Sequence, residues 1–297
     1  MDKRTTAILI LLAGILAALP AQAVFENLMV SPRARAMGDA GVAVPDAAFG
    51  SYLNPAGLAD IPRAGAAGLS YLKPYGLSFH ELYFLGGAFR LPGAAGAVGV
   101  GFRQYGVEYE DVSLEKESTL TVSHGIALYR DLHSSVTVGY GLGFHRLEFG
   151  ETVGGLDPGD DWSVGFDLGL TATVHERTRI GILVHNLNAP KIGRDEEELP
   201  RRLHGGIAYE PYAGVVTTVE LESVHGEAVQ WHGGLELELV TGFDLRAGIM
   251  SEPSKLTAGF GYEFAGFALN YGFSTGGGVL ESSHQFGFTA AWGGEAK

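Results

Sequence analysis

From residue 64 to residue 292 apolar side chains recur at nearly every second position, and the positions between them hold glycine, alanine, threonine and isolated charges. In "DWSVGFDLGL", Trp162, Val164, Phe166, Leu168 and Leu170 alternate with Ser163, Gly165, Asp167 and Gly169, the signature of a strand with one apolar face. Val136, Val138, Tyr140, Leu142 and Phe144 repeat the pattern, as do Leu235, Leu237 and Leu239 against Glu236 and Glu238, and Phe286, Phe288, Ala290 and Trp292. About fourteen such segments are predicted, near residues 65–73, 79–90, 95–105, 117–130, 135–149, 161–174, 178–187, 200–209, 214–223, 228–239, 242–250, 255–264, 266–274 and 283–292. No comparable stretch reads as a long amphipathic helix. The fold class is therefore all-β. Its apolar faces turn inward in a soluble sandwich or barrel, or outward to lipid in a transmembrane antiparallel β-barrel.

Three features favour the membrane. Most segments run near or above the roughly 9–11 residues a tilted strand needs to cross a bilayer, against about 5–6 for strands of soluble proteins. The face opposite the apolar one is too small and too sparsely charged for a solvated exterior, whereas it suits a narrow lumen. Connection lengths also alternate: "PYGLS", "GVEYEDVSLEKE", "GETVGGLDPGDD", "NAPKIGRDEEEL" and "TGGGVLESS" follow odd-numbered segments, while "LPGAA", "DLHSS", "HERT", "EPYA", "LVTG" and "AG" follow even-numbered ones. Outer-membrane barrels make that pattern with short periplasmic turns, longer external loops and both termini inside. "HGEA" and "SEPS" are short on the long side, so little external structure is expected.

The ends and the composition set the compartment. Lys3 and Arg4 precede an apolar run over 7–19, and Ala21-Gln22-Ala23 supplies a small-x-small cleavage site, so residues 1–23 are expected to be a cleaved secretory signal. Residues 24–63 precede the strands, 64–292 form the barrel and 293–297 a short tail. There is no cysteine, hence no disulfide. Glycine contributes 45 of 297 residues without any repeat period, so each must serve its own backbone position. A formal charge of −14 argues against a nucleic-acid partner.

A closed barrel of fourteen strands has room inside for more than its own side chains. The segment from Val24 to Pro62, small-residued and ending in the kinked "YLNPAGLADIP", is expected to plug it as a hatch. Non-helical backbone at membrane depth requires surrounding protein or a water-filled cavity. Asn54-Pro55 favours a turn, and Gly57 is expected to permit close backbone approach. "RAMGDAGVAVPDAAFGSYLNPAGLA", from Arg35 to Ala59, resembles the N-terminal hatch of the PorV/PorQ-like proteins in the FadL-like fatty-acid-transporter superfamily. Met37, Gly38, Asp46, Asn54, Pro55, Ala56 and Gly57 occupy the places of that motif. "HNLNAPKIG" with "LPRRLHGGIAY" looks like the family's later strand pair, and "SSHQFGFTAAW" like its last strand, the signal read by the outer-membrane barrel assembly machinery. The resemblance implies a fourteen-stranded outer-membrane barrel with the hatch in its lumen. The chain lacks segments long enough for the large ligand-gathering loops of the classical transporters.

Other motifs are weaker. "GFSTG" around Ser274 matches G-x-S-x-G but enters a glycine-rich loop instead of a strand-to-helix elbow, so no enzyme is expected. The "HGG" triplets at His204 and His232 lie within strands and are read as glycine kinks. Asp157, Asp160 and Asp161 of "DPGDD" lack the rest of a calcium-loop pattern, so neither metal nor cofactor is expected. Asp167, Glu220, Glu222, Glu236, Glu238, Asp244 and Arg246 fall on the lumenal side of the alternation, where pairing within the wall or the lining of a polar route is expected. Trp162, Trp231 and Trp292 suit the membrane interfaces. Passage of a small hydrophobic or amphipathic ligand past the hatch, leaving sideways or to the periplasm, is the favoured function. A non-transporting scaffold for secretion-system proteins is the alternative.

Overall fold

The computed structural model describes residues 25–110, 112–151, 155, 158–225, 227–276 and 280–294, so the expected signal segment and Asp157 lie outside the described residues. Fourteen antiparallel strands close into one barrel. They are β1 (Gly65–Lys73), β2 (His80–Arg90), β3 (Ala97–Tyr109), β4 (Val112–Arg130), β5 (Ser135–Phe149), β6 (Asp160–Val174) and β7 (Thr178–His185). After a two-stranded hairpin, β8 (Lys191–Ile192) and β9 (Glu197–Glu198), follow β10 (Arg202–Tyr212), β11 (Val215–Val224), β12 (Gln230–Val240), β13 (Phe243–Met250), β14 (Lys255–Phe264), β15 (Phe267–Ser274) and β16 (Ser283–Trp292). Each barrel strand pairs with its barrel neighbours in sequence, and β1 pairs with β16 from Gly65↔Trp292 to Lys73↔His284. No barrel edge is left open, which meets the requirement that backbone polar groups in hydrocarbon be satisfied internally.

The alternation orients the strands as expected. Leu85, Leu168 and Phe288 stand on the outside, 59%, 40% and 41% exposed, with none of the described residues covering them. Phe166 and Leu237 share that face, half-covered by their neighbours. A continuous apolar exterior of this kind exceeds what a soluble monomer carries and matches a lipid-facing band. Trp162 and Trp231 mark its loop end and Trp292 its turn end, all three exposed. Leu142 lies between Val122 and Phe166 in the middle of the band. Leu142→Arg is expected to destabilise the folded barrel by about 2–4 kcal/mol in lipid vesicles, the cost of a cation near the bilayer midplane, read from a urea titration.

Two connections differ from expectation. Most of "GVEYEDVSLEKE" is strand: β3 continues to Tyr109 and β4 starts at Val112, the two paired as far as Tyr109↔Val112. Apolar side chains on alternate positions, Val107 and Tyr109 on one strand and Val112 and Leu114 on the other, carry the ladder past the rim. Glu117, at the boundary between that connection and the predicted strand 117–130, is buried on the inner wall. The connection after β7 folds back over the barrel mouth, where Ile192 and Leu199 pack with Leu147 and Phe25.

The apolar core lies inside the barrel and belongs largely to residues 25–62. Met29, Val30, Ala34, Phe49 and Leu53 cluster with Phe84 of β2, and the Phe49 and Phe84 rings stack at 5.2 Å. Met37, Val42 and Val44 pack on Leu183 and Ala208. Leu58 and Ile61 pack on Ala88 and Ala97. The abundant glycine follows from this packing. A Cβ on Gly139 would collide with the backbone of Pro55 and Ala56, one on Gly181 with Val42, and one on Gly248 with Met37 and Gly38. The wall is glycine-rich because another backbone lies against it.

Candidate functional site: the hatch and its two vestibules

The hatch consists of short pieces because its neighbours dictate its path. Ser31 caps the helix Pro32–Ala36, accepting from Ala34 N, and Pro32 occupies the first turn, where its missing N–H costs nothing. Gly38 follows with φ of 72°, and an added Cβ would lie 2.6 Å from the Ile249 carbonyl oxygen and 2.7 Å from that of Gly233. Only glycine meets both demands. Its N–H donates to Thr257 Oγ1 at 2.9 Å, whose hydroxyl donates on to Ala36 O at 3.0 Å, while His232 Nδ1 donates to Gly38 O at 2.8 Å. Gly38→Ala is expected to lower hatch protection by more than about 1 kcal/mol, seen as faster hydrogen exchange over 32–44 with the strand amides unchanged.

Asp46 accepts from Ser31 Oγ at 3.1 Å and from Phe49 N at 3.4 Å, holding the ends of two hatch pieces together. Burial pushes its carboxyl above the ordinary range, opposed by the charge of Arg33. Asn54 Oδ1 accepts from Ala56 N at 3.0 Å, capping the 3-10 turn Pro55–Asp60, and Asn54 Nδ2 donates to Val42 O at 2.9 Å. Ala56 is fully buried, and its carbonyl accepts from Thr137 Oγ1 at 3.0 Å. Gly57 departs from expectation: nothing lies within 4 Å of where its Cβ would be, so no close approach requires glycine there. Asn54→Ala removes both a cap and a cross-hatch bond. The expected loss is about 1–2 kcal/mol of local stability, measured by exchange protection over 42–60.

The inner wall supplies the charged seats. Glu236 accepts from Arg33 of the hatch through both oxygens, at 2.7 and 2.6 Å, and from Arg246 of β13 at 2.6 Å. Arg246 also donates to Asp244 at 2.8 Å and to Asn270 at 2.7 Å. Glu220 accepts from Val42 N at 2.9 Å and from His204 Nδ1 at 2.9 Å. Glu222 accepts from Asn27 Nδ2 at 2.8 Å. Asp167 accepts from Asn186 N at 2.9 Å and pairs with His185 at 3.2 Å, serving the wall instead of the hatch. Glu238 is exposed at the turn end of β12 and accepts from Gly242 N at 3.0 Å, apart from the Glu236–Arg246 group.

Several seats escaped the sequence. His204 and His232 are buried lumenal residues. Parity alone carried that signal, because His232 shares the face of Gly234 and Glu236. Arg33, and Arg35 with its bond to Gln285 at 2.8 Å, gave no signal at all, since their partners on the wall are more than 200 residues away. Ser274 is buried at the end of β15, its hydroxyl donating to Thr275 O at 3.2 Å. Asp160 accepts from Arg146 at 3.1 Å, and Asp161 accepts from Gly193 N at 2.7 Å, tying down the connection after β7. Among the described residues no cluster of three His, Asp or Glu side chains is placed to hold a metal ion.

The hatch divides the lumen. A loop-side vestibule of about 410 Å³ lies between it and the external rim, and a turn-side vestibule of about 630 Å³ lies between it and the turns. A gap of about 10 Å³ borders both: it shares Val42 and Leu53 with the first and Asp46 and Gly57 with the second, and Asn54 lines it. The molecule is thus a closed fourteen-stranded barrel, plugged by its own N-terminal segment.

That fold is shared with proteins of known structure, two hydrocarbon-transport proteins and a FadL homologue among them. The chain is similar to the CymD monoaromatic hydrocarbon channel, with a TM-score of 0.69 and 16% identity over 91% of this chain and 99% of that one. It is similar to the Ralstonia pickettii toluene transporter TbuX, with a TM-score of 0.63 and 15% identity over 88% of this chain and 98% of that one. It is also similar to a Pseudomonas aeruginosa FadL homologue, with a TM-score of 0.57 and 11% identity over 89% and 98% of the two chains. At such identities the likeness is one of fold. No family model matches the sequence, and no curated protein does either.

Proposed function

We propose that this chain is an outer-membrane barrel through which small hydrophobic or amphipathic molecules pass down their own gradient. Export by the cleaved signal and insertion by the barrel assembly machinery, which would read "HQFGFTAAW", place the turns in the periplasm and the loops outside. One observation carries the reading: two vestibules on opposite sides of a hatch that share a pinch at Asn54. A slight displacement of the Asn54–Gly57 turn would join them. No group of the lumen is assigned a catalytic role. Hydrocarbon passage in the barrels of similar fold supports the choice of molecule. Cells carrying the chain are expected to take up a neutral hydrophobic compound such as toluene severalfold faster than cells in which it is deleted. Equal initial rates for hydrophobic and amphipathic compounds alike would contradict the channel.

The hatch motif's likeness to PorV-type proteins keeps partner binding as a second reading. The rim of β3–β6 stands above its neighbours and exposes Tyr109, Val112 and Leu114, a surface a secretion-system protein would cover. Cross-linking from Leu114 on whole cells tests it, and recovery of lipid adducts alone would count against a protein partner.

A further inference from the structure

The loop-side vestibule holds polar groups that seating the hatch does not consume. Glu222 of β11 spends Oε1 on Asn27, while its Oε2 lies 3.5 Å from His232 Nε2, and His204 Nε2 is 3.9 Å from Oε1. The other ring nitrogen fixes each imidazole. Carbonyl and ionised carboxylate oxygens only accept, so Nδ1–H donates to Gly38 O in His232 and to Glu220 in His204. Among the described residues each Nε2 is left without a partner in hydrogen-bond geometry, on residues only 2% (His232) and 7% (His204) exposed that line the vestibule. Two buried ring nitrogens thus converge on one carboxylate, His232 Nε2 at ion-pair distance from it and His204 Nε2 beyond hydrogen-bond reach. Around them the vestibule sets six carboxylates against three permanent cations, Arg35, Arg202 and Lys255. Carboxylates there outnumber arginine and lysine side chains, although Arg202 also directs an unpaired Nε–H toward Glu222 Oε1 at 4.0 Å, and ionisable groups at membrane depth mark routes and binding sites. The arrangement does not suit a metal ion, since no three ligands meet around one point among the described residues.

We propose that this vestibule binds the ammonium head of a small primary alkylamine, with N–H donors directed to His204 Nε2 and Glu222. Leu72, Leu183 and Met250 of the same vestibule offer apolar surface to the alkyl chain. The inference rests on the channel reading above and names the class of molecule admitted. Primary alkylamines, like lysine, are cationic at neutral pH. Charge-assisted bonds to a shielded carboxylate outweigh those of a neutral alcohol, and a carboxylate ligand meets repulsion instead. A quaternary ammonium has the charge but none of the donors.

Isothermal titration of the full exported chain in zwitterionic nanodiscs tests the site with hexylamine, hexan-1-ol, hexanoate and hexyltrimethylammonium. Hexylamine is expected to bind at least about tenfold more tightly than hexanol or hexyltrimethylammonium, with no heat from hexanoate. Glu222→Gln and, separately, His204→Ala should each weaken hexylamine about tenfold while leaving hexanol unchanged. Heat-dependent gel migration shows that both variants are folded. Equal affinity for hexylamine and hexanol, or undiminished hexylamine binding in Glu222→Gln, overturns the proposal. Toluene uptake by cells carrying the unaltered chain separates the two readings. Uptake without amine preference removes the ammonium site and leaves the channel, whereas amine binding without uptake supports the site and removes the channel.

Discussion

Deletion of residues 25–62 converts the barrel into an open pore, with single-channel conductance in planar bilayers at least about tenfold above that of the intact chain, because a fourteen-stranded lumen is wider than its own side chains can fill. The wall needs no help from the hatch to close, since β1 and β16 pair along their whole length. What disappears is the apolar core, which is almost entirely hatch against wall. The glycines that now receive Pro55, Val42 and Met37 would face water across an empty lumen. The deleted protein should therefore keep its strand content and its heat-dependent gel migration while its thermal stability falls. Conductance as low as that of the intact chain would mean that the wall itself narrows the lumen.

The second large effect is expected at Glu236. This carboxylate is buried, and it neutralises two guanidinium groups, Arg33 on the hatch and Arg246 on the wall. Removing one partner of a buried ion pair strands the other, at a cost of about 3–5 kcal/mol. Arg246 keeps Asp244 and Asn270, so the loss falls mainly on Arg33. Glu236→Leu should release the Arg33 end of the hatch by roughly 3 kcal/mol, enough to populate open states more than a hundredfold over the parent. Frequent brief openings in bilayer recordings are the expected readout. Arg33→Leu should reproduce them, and the double variant should be milder than the two effects summed, since both remove one interaction.

Most of the wall was legible because a strand that is greasy outside and small inside writes its orientation into every second residue. Leu142, Leu168 and Phe288 could be placed on the outside from parity alone, and nearly every strand was found within a few residues of its predicted bounds. The β3–β4 extension was missed because its inward residues, Glu115 and Glu117, look like loop charges until Phe25 N is seen donating to Glu117. The hatch was legible as a segment and not as a structure. Its pieces have no period, since each turn answers a particular spot on the wall. Gly57 shows the limit: a motif glycine implied crowding that the structure does not contain. The hatch contacts of His232 and Arg33 depend on partners far along the chain, which no local pattern encodes.

The account depends on which side of the strands meets hydrocarbon. Because the chain has no cysteine, single spin labels can be placed at Leu85, Leu142 and Leu168 and compared with labels at Thr121 and Asp167 on the inner wall. In lipid vesicles the first three are expected to be accessible to oxygen and shielded from a water-soluble nickel complex, and the last two shielded from oxygen. High nickel accessibility at Leu142, or a label there immobilised by protein packing and closed to both reagents, would contradict the lipid-facing barrel and the lumen, hatch and vestibules that follow from it.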